Sequence, residues 1–501
     1  MSKADFFERM EQLGIALTFD DVRLKTSYSN VMPKDVSLET LFSRNVPLKI
    51  PVVSAAMDTV TEYELATELA KLGGIGIIHR GLIPEEQANH VARVKYHLNG
   101  LIDKPICIFE DRSMEDVLEL KEKKEYSFHT FPVTNKEGKL VGILTKNDFD
   151  FCGDPSLLVK QVMSTQLITA KQDTDLEQAY KIMKDEKKKV LPLIDENGFI
   201  VGMYIFSDVK RIILRSSSTY NVDDRGQLRV GAAIGVGDDA FERLERLTKE
   251  NVDVVVVDTA HGDTSGVIET VKKIKEKYSS LDVVAGNISQ SESAERLIKA
   301  GADGIKVGQG PGSICTTRYI SGTGCPQVTA VYNCSRIADK YNIPVCADGG
   351  LVYSGDITIA IGSGAHSVML GNMLAGTKET PGETVFHSGR YWKNYRGMGS
   401  IGALEEYGGS RERYRQSDVK SNELVPEGIE GLVPYKGELR TILIQFLGGL
   451  RSGMGYVGAR NIQELREKAD FDRISVAGQI ESHPHNVLIT REPPNYPGNV
   501  R

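Results

Sequence analysis

The 501-residue sequence has few cysteines, a single tryptophan and no long apolar run. Its six cysteines include no CxxC pair. That argues against a disulfide scaffold and a structural zinc site, and for a reducing, cytoplasmic setting. No stretch approaches the ~18 apolar residues of a membrane span. The opening MSKADFFERMEQLGIAL lacks the apolar core of a secretory signal. Positive charge is not in excess: 61 Lys and Arg against 68 Asp and Glu give −7. This speaks against a nucleic-acid binder held by phosphate contacts, while leaving room for a small anionic ligand. Glycine, by contrast, is plentiful at 49 residues, many of them between positions 304 and 376. Such clusters mark tight bends or close approach to a ligand.

Eight short, continuously apolar runs recur: PVVSAA (51–56), GIGIIH (74–79), RVGAAIG (229–235), VDVVVVD (252–258), DVVAGN (282–287), GIKVG (304–308), PVCADGG (344–350) and HSVMLGN (366–372). They read as buried parallel strands, with amphipathic helices such as DAFERLERLTKE (239–250) between them. Strand then helix, eight times, predicts an α/β fold of the (β/α)8 TIM-barrel type. A doubly wound sheet would need GxGxxG opening a helix, whereas GGIGII lies within a strand. The second and third runs are about 150 residues apart, far more than one helix and its loops require. The excess holds an internal repeat at an offset of 60, aligning Pro132 with Pro192, Gly138 with Gly198 and Asp148 with Asp208. Each copy reads as strand, tight turn, strand and an aspartate at a helix start. The pair resembles tandem CBS (Bateman) domains, and that resemblance implies an adenine or guanine nucleotide between the copies. The predicted organisation is barrel over 1–92, tandem CBS pair over 93–215 (copies about 93–152 and 160–215), and barrel again over 216–501. A polar excursion over about 402–431 is predicted to be a mobile flap.

The densest motif is GQGPGSICTTR (308–318), after the sixth strand and so at the face where barrel active sites are built. Its glycines and proline would force a bend presenting Ser313, Cys315, Thr316 and Thr317. Cys315 is the natural nucleophile, since backbone N–H groups of such a bend favour a thiolate. The carbonyls of Gly310, Gly312 and Cys315 could converge on a monovalent cation. Cys107, Cys152, Cys334 and Cys346 read as small buried apolar residues, and Cys325 is left unassigned. CADGG and MLGNMLAG end the seventh and eighth strands, where barrels commonly hold phosphate. Gly350 and Gly371 would allow close approach, Asn372 and Ser313 would add donors, and Asp348 would accept from ribose hydroxyls. YRGMGS (395–400) adds the Tyr395 hydroxyl, with Gly397 and Gly399. Asp258 and Asn287 end the fourth and fifth strands, facing the same mouth. His261 could be a base but reads better as a hydrogen-bonded loop residue.

SAAMDTVTE (54–62), GGIGIIHR (73–80), the cysteine loop, ADGG (347–350), YRGMGS, VPEGIEG (425–431), GGLRSGMGY (448–456) and ESHPH (481–485) together resemble the IMP dehydrogenase family, from LTFDDV (17–22) to PPNY (493–496). The resemblance implies NAD-dependent oxidation of IMP through a covalent intermediate on Cys315. GMP reductase, which shares the barrel and the cysteine loop, is the nearest alternative, and a nucleotide-sensing protein with an inactive barrel is a third reading. Arg413-Tyr414 resembles the flap pair that activates water in the dehydrogenases, with Thr317 orienting that water and Glu427 beside the purine. The resemblance further implies substrate contacts from Ser54, Met57 and Met398, and cofactor contacts from Asp258, Ala260, Asn287, Gly308 and Gly310. It implies K+ held by Gly310, Gly312 and Cys315 with Glu481, Ser482 and His483 of a neighbouring subunit, and a homotetramer. Gln309, Asn372 and Ala260 depart from the family's usual residues.

Overall fold

A computed structural model describes residues 2–97, 101–102, 105–123, 128–213, 219–491, 493 and 495–496. The chain separates into two compact units. The larger, residues 1–95, 219–221 and 228–501, contains a closed barrel of eight parallel strands. These are β1 (Val52–Ser54), β2 (Ile75–Ile78), β3 (Val230–Ile234), β4 (Val254–Asp258), β5 (Asp282–Ile288), β6 (Gly304–Val307), β7 (Val345–Asp348) and β8 (Ser367–Leu370). They follow one another around the barrel in chain order, β8 pairing with β1 through Leu370 and Ser54. All eight apolar runs of the sequence lie in it. Every residue of β1–β6 and β8 is buried, as a strand covered on both faces requires. The interior packs Val53, Ile75, Ile77, Ala233, Val254, Val256, Val284, Cys346 and Met369, closed below by Phe42, Val46 and Leu48. Branched side chains at these positions fill the lumen, so the barrel is a core and not a pore.

Three additions surround the barrel. Val22–Leu24 pairs antiparallel with Phe471–Arg473, tying the N-terminal segment to the end of the chain. Thr384–His387, Arg390–Arg396 and Glu430–Pro434 form a small antiparallel sheet. A 19-residue helix, Leu439–Val457, packs on the helix Ser354–Gly362. The polar excursion predicted as flap is more ordered than its composition suggests. It holds two short helices, Ile401–Glu406 and Gly408–Arg413, and its end enters the small sheet. Among the described residues no helix is long and apolar enough to cross a membrane.

The smaller unit, residues 96–218 with 222–227, displays the internal repeat at the level of single hydrogen bonds. Phe131–Thr134 and Leu140–Leu144 form one hairpin, Val190–Ile194 and Ile200–Ile205 the other. Asn135 accepts at its side-chain oxygen from the amides of Glu137 and Lys139, and Asp195 does the same for Asn197 and Phe199. Gly138 and Gly198 follow with the same φ of +84°. The two turns touch, Leu140 donating to the Gly198 carbonyl at 3.1 Å. Asp148 is not itself the helix cap: Thr145 is, and Asp148 reaches back to the Thr145 amide at 2.6 Å. Each copy has its own core, one around Phe131 and Val133, the other around Leu191 and Leu193.

Because Ile77 is fully buried in the lumen, Ile77→Ala is expected to cost about 2–5 kcal/mol, read as a lowered urea midpoint of the barrel transition.

Candidate active site

A cavity of ≈ 800 Å³ opens at the C-terminal ends of the barrel strands. The loop after β6 crosses it. Gly308 leaves the strand at φ +151°, and a Cβ there would sit 2.1 Å from the Asp348 carbonyl oxygen, so only glycine lets the loop pass this close to β7. Cys315 is half-buried at the loop's tip, its Sγ 3.1 Å from the Thr317 hydroxyl. The segment 427–429 braces the loop from outside. Thr316 donates to the Glu427 carbonyl at 2.9 Å, and Ile429 to that of Ile314 at 2.9 Å. Glu427 in turn donates its amide to Gly399 at 2.9 Å, so three loops that share little sequence proximity are laced together.

On one side lie the groups suited to a phosphorylated ligand. Asn372 donates to the Ser313 hydroxyl at 3.0 Å, joining the loops after β6 and β8. Tyr395 is buried, its phenol hydrogen-bonded to Ser313, and burial pushes that phenol well above its ordinary range. Gly350, Gly371, Met57, Gly397 and Met398 line the same side. On the other side Asp258, Ala260, Asn287, Gly308 and Gly310 line the cavity with His261. His261 Nδ1 lies 3.0 Å from Gln309 Nε2, and Gln309 accepts from Ser289 at 2.6 Å. The histidine is thus a tied loop residue, and Gln309 is what ties it.

Arg413 and Tyr414 enter this second side. Arg413 pairs with the Asp258 carboxylate, and its carbonyl accepts from the Ala260 amide at 3.3 Å. A Cβ on Gly399 would meet the Tyr414 ring at 2.5 Å, so this glycine does not line the cavity but seats the tyrosine. Burial pushes the Arg413 guanidinium down from its usual value. The Tyr414 phenolate would oppose that shift, and the neighbouring Arg80 cation adds to it. The Asp258 carboxylate that Arg413 meets is shared with a second cation, Lys306.

Lys306 was not singled out from the sequence. It lies inside β6, 2% exposed. Its ammonium is 2.8 Å from Asp258 and 2.7 Å from Asp348, and it also donates to the Asn287 amide oxygen. Asn287 returns a bond to Asp348 at 2.9 Å and another to the Gly308 carbonyl at 2.7 Å. The signal was available, since a lysine inside an apolar strand is almost never fully buried without partners. Lys436 was missed as well. It donates to the Asn372 and Met373 carbonyls, at 2.6 and 3.2 Å, beneath the loop after β8.

Not every expected residue reaches the cavity. Ser54 is fully buried and accepts from the Thr61 hydroxyl at 2.8 Å, because the alternation of β1 turns it away from the mouth. Glu481, Ser482 and His483 end the short helix Val476–Glu481 and do not line the cavity of their own chain. The loop itself suits a monovalent cation, since Gly310 bends at φ +80° and the donors it offers are neutral carbonyls. The Gly312 carbonyl accepts from the Cys315 amide at 3.0 Å, which leaves one lone pair. All six cysteines are free. Cys325, Cys334 and Cys346 are buried, but Cys107 and Cys152, expected to be buried, are only half-buried, because each stands in a loop of the smaller unit.

With Lys306 removed, Asp258 would keep only Arg413 and Asp348 only the Asn287 amide against their mutual repulsion. Lys306→Met is therefore expected to cost about 3–5 kcal/mol at pH 7 in urea unfolding. Burial pushes Lys436 down to about 8 from the ordinary 10.5. Between those values the unfolded chain holds a proton that the folded protein has lost, so stability rises with pH there. Lys436→Met should reduce that rise without removing it, since burial also brings Lys3 down to about 8, read as a shallower pH dependence of the urea midpoint between pH 8 and 10.

Comparison with known proteins supplies the family. Residues 16–485 match the family model described as the IMP dehydrogenase / GMP reductase domain. The inosine-5'-monophosphate dehydrogenase of Aquifex aeolicus is 50% identical over 96% of this chain and 97% of its own length. That of Bacillus subtilis is 47% identical over 96% and 97%. Among solved structures, a GMP reductase of Trypanosoma brucei, a cysteine-to-alanine variant in complex with guanosine 5'-monophosphate, superposes with a TM-score of 0.88 at 41% identity. It covers 95% of this chain and 100% of that one. With a matched cysteine loop at the mouth of a matched barrel, this chain belongs to the IMP dehydrogenase / GMP reductase family.

Proposed function

We propose that the protein oxidises IMP to XMP with NAD, in two chemical stages that share one cavity, and so serves guanine nucleotide synthesis. The observation that carries this reading is the docking of Arg413 on Asp258, with Tyr414 beside it in the cavity that the Cys315 loop also lines. In the first stage IMP lies with its phosphate among Ser313, Gly350, Gly371, Asn372 and Tyr395, and its ribose hydroxyls on Asp348. The Cys315 thiolate forms a bond to purine C2, and the C2 hydride leaves to the nicotinamide on the opposite face. One hard displacement thereby becomes two easier ones. Asp258 and Asn287, held by Lys306, orient the cofactor before it departs.

In the second stage the flap fills the vacated side and water attacks the C2–S adduct, releasing XMP and the thiol. Arg413 takes the water's proton, with Tyr414 and Thr317 orienting the water and Glu427 beside the purine. An arginine base requires a guanidinium whose charge is disfavoured. Burial and Arg80 both disfavour it here, and Arg413 Nε is a buried donor without a partner among the described residues. K+ would be held by the carbonyls of Gly310, Gly312 and Cys315, with Glu481, Ser482 and His483 from a second copy in a homotetramer. Bound there, it would order the cysteine loop. The tandem repeat is proposed as a CBS pair taking an adenine or guanine nucleotide between its copies.

The structural likeness to a GMP reductase sustains a second reading, in which GMP is deaminated to IMP at the expense of NADPH. The Arg413-Tyr414 pair favours the first, because in reductive deamination a hydride, not an activated water, displaces the sulfur from C2.

IMP with NAD and K+ is expected to yield NADH, and GMP with NADPH no oxidation. Cys315→Ala should abolish NADH formation. Arg413→Ala should retain one equivalent of NADH per site while turnover falls ~10²–10⁴-fold, with the adduct on Cys315 visible by mass spectrometry. NADPH consumption with GMP, or full turnover by Cys315→Ala, would overturn the assignment.

A further inference from the structure

The residue before Arg413 has a socket of its own. Glu412 reaches from the flap helix to the ends of two barrel strands. Its Oε2 is 2.9 Å from Arg80 Nη1, just past β2. Its Oε1 accepts from the Val236 amide at 2.7 Å, just past β3. The bridge runs directly over Gly235: a Cβ there would lie 2.0 Å from Arg80 Nη1 and 2.4 Å from Glu412 Oε1. Arg80 is only 6% exposed, and the Glu412 side chain 24%. Gly409, on the same turn of flap helix, packs its backbone over the Arg80 carbonyl, where a Cβ would stand 3.2 Å away. Just ahead of that helix, Tyr407 lies against Gly81. The next residue along, Arg413, then falls on Asp258 and Ala260 of the β4 end.

We infer that Glu412 is a positioning residue, a latch in a socket made by Arg80, Gly235 and Val236, which sets how firmly the flap closes and so delivers Arg413 to the adduct. The inference rests on the two-stage reading above, since only there must closure compete with the dinucleotide for the Asp258 side of the cavity. The physics favours a charge at this position. With the flap docked, Arg80 is buried and its guanidinium needs an anion, because an unpaired buried cation is costly. With the flap away, water can solvate the same guanidinium. Replacing the carboxylate with an uncharged amide therefore penalises the closed state far more than the open one. The amide of Val236 adds direction, because one carboxylate must meet two fixed donors, and that fixes where the following residue lies. A shorter acid would keep the charge but not the reach.

The test uses the full-length enzyme with IMP, NAD and K+. In Glu412→Gln the single-turnover rate of NADH formation is expected to stay within twofold of the parent, since hydride transfer takes place with the flap away. Steady-state turnover should fall at least fivefold, and inhibition by excess NAD should set in at several-fold lower concentration, because the dinucleotide meets a weaker competitor. Glu412→Asp should recover part of both effects. Arg80→Met should reproduce them, and the double variant should be no worse than either single one. Unchanged turnover and NAD inhibition in Glu412→Gln, or losses that multiply in the double variant, would overturn the latch. Trypsin cleavage after the exposed Arg415 gives a readout that needs no chemistry: it should quicken several-fold in Glu412→Gln and stay unchanged if Glu412 holds nothing. Failure of the parent enzyme to form NADH would instead overturn the functional reading, with the proteolysis result still deciding the latch.

Discussion

A buried ammonium organises the mouth of this barrel. Lys306 ends up where four consecutive strands, β4 to β7, deliver Asp258, Asn287, itself and Asp348. Two carboxylates brought together in a low-dielectric mouth would repel, and each would favour protonation. The cation between them pairs with both and so offsets that repulsion. The cost of burying three charges is met by short ion pairs and by the Asn287 amide, which satisfies Asp348 and the Gly308 carbonyl at once. Asp348 and Asp258 are consequently one network, not two independent residues.

The same network leaves one face of Asp258 available on the cavity side. Asp258 has one lone-pair face taken by Lys306 and another offered to the cavity. Whatever cationic or donor group arrives there finds a preformed partner. In the docked arrangement that group is Arg413, placed by a flap whose contacts lie on strand ends rather than in a core. Such contacts are few, polar and partly exposed, the kind that open at modest free-energy cost. The cysteine loop is braced by 427–429, and Arg413 lines the same cavity.

Much of the architecture was legible in the chain. Continuous apolar runs separated by amphipathic helices leave a parallel barrel as the economical arrangement, and all eight runs occupy it. The repeat offset of 60 gave matching turns down to the Asn135 and Asp195 side-chain bonds. Cys315, Asp258, Asn287, Asp348 and the loop glycines stand at strand ends because their positions relative to the runs required it. Ser54 was misplaced by the same logic, since it lies one alternation short of the mouth and turns toward Thr61.

Local sequence thus determined which segments are strands, which loops stand at the barrel mouth and where Cys315 is presented, because those properties depend on neighbours in the chain. Tertiary packing alone decided the rest. Lys306 gains its role only when β5 and β7 flank β6 and β4 stands one strand further on, Lys436 only when residue 436 returns beneath the loop after β8, and Glu412 only when a polar flap settles on Arg80 and Val236. Each is a charged residue whose partners lie dozens to hundreds of positions away, and Coulomb's law acts on distance in space, which no local pattern of residue types records.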